Sequence, residues 1–108
     1  MERLMQRGEV RWYKFTAPDK KRPVLILTRN SIIPYLSEIT IAPITTTVRN
    51  IPSEVEIGKL DGLKTHCAVN LDHLQTVAKQ KIGAKISALS SEKMEDIFHA
   101  LSFALGFK

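Results

Sequence analysis

Cysteine is almost missing from this 108-residue chain. The single one, Cys67, can close no internal disulfide and cannot build a cysteine metal cluster. Glycine and proline are few, five of each, which excludes collagen-like and low-complexity chains. No apolar run approaches the length of a membrane-spanning helix. The first six residues lack an apolar stretch, so the expectation is no secretory signal and a cytoplasmic protein. There is no glycine-rich phosphate loop. His66, His73 and His99 show no metal-ligand spacing, so neither a metal nor a cofactor is expected.

What remains is ordinary globular composition, 44% hydrophobic and 25% charged, which fits one domain over residues 1–108. A chain of this size buries a modest core, and a partner subunit would add to it. The net charge of +5 is unevenly spread. Residues 1–35 hold eight Lys/Arg against three acids, while residues 36–84 and 85–108 each balance. The whole excess lies in the first third. That asymmetry favours a polyanionic partner such as nucleic acid, although it is also compatible with simple solubility.

Strand signals dominate. Residues 9–15 are rich in strand formers, and residues 16–22 form a polar loop in which Pro18-Asp19 starts a turn. Pro23 opens a second strand over 24–28. It is apolar at every position and so expected to be central and covered on both faces. Residues 29–36 read as a loop. A third strand follows over 38–44, with Pro43 marking an edge or bulge. Residues 45–53 form a polar loop and residues 54–58 a fourth strand. Asp61-Gly62 is a turn, and residues 66–71 make a fifth strand. Residues 74–79 read as a short strand or turn, and 81–89 as strand or helix. At the end, Met94, Ile97, Phe98, Leu101 and Leu105 repeat at helical spacing, with Ser90 as N-cap and Gly106 as stop. Strands first and one amphipathic helix last predict a mainly β protein. The expected form is a small open barrel of antiparallel strands closed by the helix.

Arg22 ends the basic loop just before Pro23. A guanidinium held there by β structure suits bidentate grip of a phosphate; a salt bridge or a solvated loop position accounts for it equally. Thr45 and Thr46 follow the third strand, where hydroxyls bind phosphate or ribose or close a local turn. Asn70, Asp72, His73 and Gln75 cluster after the fifth strand, as a polar rim or as turn caps. Trp12 and Phe15 are of the type that stacks on bases, but an early strand aromatic is expected in the core, and Trp12 is placed there. His99 is expected at the helix surface.

Several segments in order carry a family resemblance: Arg7-Gly8-Glu9-Val10-Arg11-Trp12, Arg22-Pro23-Val24-Leu25-Ile26-Leu27, Ala42-Pro43-Ile44-Thr45-Thr46, Glu54-Val55, Gly62-Leu63 and Asp72-His73-Leu74-Gln75-Thr76-Val77. Leu89-Ser90, Met94 and Ala100-Leu101 continue the match into the helix. Together they resemble the MazF/PemK/Kid family of toxin ribonucleases of bacterial toxin–antitoxin systems. The resemblance implies an SH3-like, CcdB/PemK-type barrel in a homodimer. It also implies metal-independent, sequence-specific cutting of single-stranded mRNA, and a cognate antitoxin whose acidic segment covers the RNA channel. It assigns the family's catalytic arginine to Arg22 and its active-site threonine to Thr45. Lys20, Lys21, Thr46, Asn70, His73 and Gln75 become candidate RNA contacts.

Two departures stand out. Several members carry a glutamate in the loop ahead of the arginine, where this chain offers only Asp19. The family's Asp-Gln-Ile-Arg-Thr reads Asp72-His73-Leu74-Gln75-Thr76 here, so an arginine is absent and a histidine has entered. Asp19 and His73 are therefore the candidates for proton transfer. The chemistry the resemblance implies is attack of the RNA's own 2′-hydroxyl on the neighbouring phosphorus. Two other functions share the features: a non-catalytic module that binds nucleic acid or an acidic peptide, and a toxin of the same fold that poisons gyrase.

Overall fold

The computed structural model describes residues 5–15 and 20–107. Asp19 and the rest of residues 16–19 lie outside them. The strands are β1 (Glu9–Lys14), β2 (Lys21–Ile26), β3 (Glu38–Thr45), β4 (Glu54–Ile57), β5 (Cys67–Asn70), β6 (Gln75–Ala78) and β7 (Ile82–Ala88), followed by one helix, α1 (Ser91–Leu105). Short 3-10 turns cover Ile33–Tyr35, Lys59–Asp61 and Lys79–Lys81. Every pairing is antiparallel, in the order β4-β5-β3-β2-β1-β7, with β6 also on β3. β4 and β7 do not pair, so the barrel stays open, as expected. The ambiguous segment 81–89 is a strand. There β1 and β7 pair with register shifts on either side of Arg11, and Gly83 lies so close to β1 that a Cβ would meet the Trp12 carbonyl oxygen at 3.3 Å.

β2 is central and covered on both faces: Val24, Leu25 and Ile26 are all fully buried. Its alternation feeds two cores. Leu25 and Leu27 join Val10, Ile44, Val69 and Ile97 beneath α1, while Val24 and Ile26 join Ile33, Ile39, Ile41 and Val77 on the other side. Pro23 does not open this strand. It lies within it, opposite Trp12, because the β1 pairing carries β2 back to Lys21. Pro43 sits where β3 changes partner from β6 to β5 along one edge, which is where the missing N–H costs least.

The helix begins and ends as its sequence dictates. Ser90 accepts a hydrogen bond from the Lys93 N–H at 3.1 Å, and Gly106 adopts a left-handed φ of 82°. Ile97 and Ala100 are buried against the sheet. The apolar stripe is wider than the core it covers, since Phe98, Phe103, Leu105 and Phe107 are exposed.

Candidate functional site

β2 pairs with β3 at Ile26↔Ile41, Leu25↔Ala42 and Val24↔Pro43. The ladder ends there, and Arg22 and Thr45 each lie two residues beyond it, where the two strands diverge. Alternation puts Arg22 and Thr45 on one face of the sheet, in line with Val24 and Ile41. Arg22 is exposed and makes no hydrogen bond or ion pair with any described residue. Thr45 is half-buried. Its Oγ1 accepts the Thr47 N–H at 3.1 Å, which leaves its O–H free to donate outward. Thr46 and Lys20 are exposed beside them. The Lys21 ammonium lies 5.7 Å from the Trp12 ring centroid, on the opposite face from Arg22.

Asn70, His73 and Gln75 form a second group further along β3. Ala68 stands opposite Thr45 and Gln75 opposite Ile41, so β3 advances four residues while the chain beside it advances seven. The surplus bulges outward and presents His73. The expected direct RNA contact by Asn70 meets a different geometry. Asn70 is 7% exposed, and its Oδ1 accepts the Asp72 N–H at 2.9 Å while its Nδ2 lies 3.1 Å from His73 Nδ1. Its amide is used within the chain to build the turn and hold the imidazole. Asp72 is held too, accepting from the Ser53 hydroxyl at 2.6 Å. His73 and Gln75 are exposed, and Gln75 shares the face of Arg22 and Thr45, about 13 Å along β3 from Thr45.

The core position expected for Trp12 is not observed; the residue is 36% exposed. Val10, two positions earlier on the same face, is sealed under α1, but the helix does not reach Trp12. The indole instead lines an open cavity of about 440 Å³ whose walls include Pro23, Thr45, Leu63 and Cys67. Burial raises the Cys67 thiol above its ordinary value, and the nearby Asp61 carboxylate adds to the effect, so this sulfur stays protonated.

One further pair was not singled out from the sequence. His66 Nε2 lies 3.0 Å from Glu56 Oε1. His66 is two residues from Ala68, which makes it the diagonal cross-strand neighbour of Thr45. Period-2 alternation of Glu54-Val55-Glu56-Ile57 marks Glu56 as outward-facing, but only the β4–β5 register brings it to His66. His99 is exposed on α1, as expected, and faces a groove beside β4. Among the described residues no three His, Cys, Asp or Glu side chains converge as a metal site would require, and no helix is long and apolar enough to cross a membrane.

The pattern of the family described as "PemK-like, MazF-like toxin of type II toxin-antitoxin system" matches residues 6–105. Endoribonuclease MazF3 of Mycobacterium tuberculosis is 40% identical over 86 residues, covering 80% of this chain and 84% of the relative. The solved Mycobacterium tuberculosis toxin MazF-mt6 superposes with a TM-score of 0.83 at 35% identity, over 91% of this chain and 96% of that one. A mycobacterial endoribonuclease solved in complex with its cognate antitoxin gives a TM-score of 0.85 at 28% identity, over 97% of this chain and 98% of that one.

Proposed function

The chain belongs to the PemK-like, MazF-like toxins of type II toxin–antitoxin systems, and from that premise we propose that it is an endoribonuclease whose cutting site is the Arg22–Thr45 face. The substrate is single-stranded mRNA, cut at a preferred sequence without a metal, by a single toxin domain spanning residues 1–108. The observation that carries this reading is the exposed Arg22 guanidinium, without a partner among the described residues, on the same sheet face as Thr45, whose hydroxyl is free to donate. Arg7, Arg11 and Arg49 each bond a carboxylate or a carbonyl, whereas among the described residues the Arg22 guanidinium bonds neither.

The 2′-hydroxyl of the RNA attacks the adjacent phosphorus, the bond to the 5′-oxygen breaks, and a 2′,3′-cyclic phosphate remains. Negative charge grows on the phosphoryl oxygens. Arg22 stabilises it there with two parallel N–H donors, and the leaving 5′-oxygen takes its proton from solvent. The Thr45 O–H donates to a phosphoryl oxygen and fixes the scissile group. Lys20 and Thr46 hold flanking backbone. An arginine remains protonated in proteins and cannot accept the 2′-hydroxyl proton. Two imidazoles border the face, with opposite offerings. His73 has its Nδ1 engaged as an acceptor by Asn70, so it presents an N–H from Nε2. His66 can donate Nε2–H to Glu56, and in the neutral ring this leaves Nδ1 as the acceptor. Proton uptake therefore falls to His66 or to Asp19, three residues before Arg22 in the sequence, and His73 with Gln75 donates to RNA further along β3.

Two partners complete the reading. The exposed Phe98 and Leu105, seven residues apart and so on one face of α1, support a symmetric homodimer that covers them. A related toxin is known with its cognate antitoxin. The excess positive charge in the first third of this chain suits an acidic antitoxin segment that orders on binding. The cytoplasm, where mRNA is available, is the place of action.

The test is cleavage of a long single-stranded RNA in EDTA by wild type and Arg22→Ala. The expected loss is about a hundred- to thousandfold, the usual cost of one well-placed transition-state donor. Wild-type rates in the variant would remove Arg22 from the chemistry. RNA left whole by the wild type would favour a binding module or a gyrase poison.

A further inference from the structure

Trp12 is the only tryptophan in the chain and is not used by the reading above. Its ring forms one wall of the 440 Å³ cavity, with Pro23 beside it, Leu63 and Cys67 behind, and Thr46 and Thr65 at the mouth. The cleft is open to solvent and leaves the indole half-exposed beside it. Three features describe an occupant. The walls are mainly apolar, with the Trp12 ring and Pro23 among them, which suits a ring. The mouth carries threonine hydroxyls, which can both donate and accept and so suit the polar edge of a ring. The Lys21 ammonium lies over the indole, which suits a ring attached to an anion.

Trp12 and Pro23 lie on the opposite sheet face from Arg22, and the cavity meets the proposed cutting site at the strand end, where Thr45 and Thr46 line it. β2 and β3 part at Pro23 and Pro43, and the space opens where they part. A nucleotide whose phosphate lies at the Thr45 hydroxyl is within one residue's reach of the cavity mouth.

We propose that this cavity is a nucleobase subsite, in which a base next to the scissile phosphate stacks on Trp12 and is read at its edge by Thr46 and Thr65. The inference rests on the endoribonuclease reading for the location of the phosphate. It adds the subsite that holds a neighbouring base. Cys67, buried and protonated, serves as an apolar floor. A purely apolar side chain from a protein partner would fill the back of the cavity but leave the threonine mouth and Lys21 unused.

The lone tryptophan makes the test direct, since all indole emission comes from Trp12. An uncleavable 2′-O-methyl RNA spanning a mapped cut site is titrated into the intact protein, with binding followed independently by polarisation of a dye on the RNA. The expected result is saturable quenching of Trp12 that tracks binding. An abasic nucleotide walked through the oligonucleotide should restore emission at one position beside the cut and weaken binding about ten- to hundredfold there. Trp12→Phe should keep the abasic-sensitive position, and Trp12→Leu should lose it while retaining the far-ultraviolet dichroism of the wild type. RNA binding with unchanged Trp12 emission and no sensitive position would overturn the subsite. So would quenching by an acidic apolar peptide but not by RNA. Absence of RNA binding by polarisation would instead overturn the endoribonuclease reading beneath it.

Discussion

The side-chain amide of Asn70 fixes which nitrogen of His73 carries the proton. Its Oδ1 is committed to the Asp72 N–H at 2.9 Å, so the Nδ2 must face the ring nitrogen 3.1 Å away. A donor there requires Nδ1 to accept, which leaves Nε2–H pointing outward. Asn70→Asp keeps an oxygen for the turn but replaces the donor by a carboxylate, which demands a proton on Nδ1. The expected outcome is a fold of nearly unchanged melting temperature, a shifted His73 ring-nitrogen signature by NMR, and altered preference among cut sites. An unchanged cleavage pattern would mean that His73 does not touch RNA.

Glu9 and Arg11 make a buried pair. Glu9 is 4% exposed, its Oε1 lies 2.8 Å from Arg11 Nε, and the next cation, Lys85 Nζ, is 3.9 Å from Oε2. Arg11→Met strands a buried carboxylate and should cost about 3–5 kcal/mol. The double variant Glu9→Met/Arg11→Met removes both charges and should recover most of that loss. Urea melts of the two variants check this; equal losses in both would show that the pair contributes net attraction.

Gly62 holds a left-handed φ of 92°, and a Cβ there would sit 2.6 Å from the Ser87 Cβ and Oγ. Both strain and collision oppose any side chain. Gly62→Ala should destabilise by at least about 1–2 kcal/mol and disturb the wall of the Trp12 cavity, seen as a shift in Trp12 emission. A neutral effect on both would mean that β7 yields easily at Ser87.

Cys67 should be inert in the native protein. Burial raises its thiol above the ordinary 9.0, so the native state keeps its proton at a pH where the unfolded chain releases it. The contribution to stability is therefore intact below about pH 9 and is lost as the pH climbs above it. Cys67→Ala should flatten that alkaline decline, and iodoacetamide at pH 8 should label unfolded wild type far faster than native. Rapid native labelling would show that the Trp12 cavity opens to its floor.

Much of the architecture was legible from residue patterns. The unbroken apolar run at Val24-Leu25-Ile26 predicts a doubly covered strand, and the periodicity from Met94 with Ser90 and Gly106 at its ends predicts the helix. Both hold because they are local consequences of burial and capping. Arg22 and Thr45 could be named from local context and family resemblance. Their shared sheet face could not, because it depends on the β2–β3 register. Trp12 was misplaced for a similar reason. Its own sequence reads as core, and only the reach of α1 determines that the cover stops at Val10. The inward turn of Asn70 depends on a bulge whose three surplus residues appear only once β5 and β6 are both laid on β3.

The central claim is that the Arg22–Thr45 face cuts RNA by using the substrate's own 2′-hydroxyl. The most direct measurement is cleavage, in EDTA, of paired oligonucleotides that differ only by a 2′-hydrogen at one mapped cut site, with chemical identification of the new ends. Cutting of the ribose form to a 2′,3′-cyclic phosphate and a 5′-hydroxyl, with the 2′-deoxy form left whole at that site, is the predicted result. Cutting of the 2′-deoxy form, or ends bearing a 3′-hydroxyl and a 5′-phosphate, would contradict it.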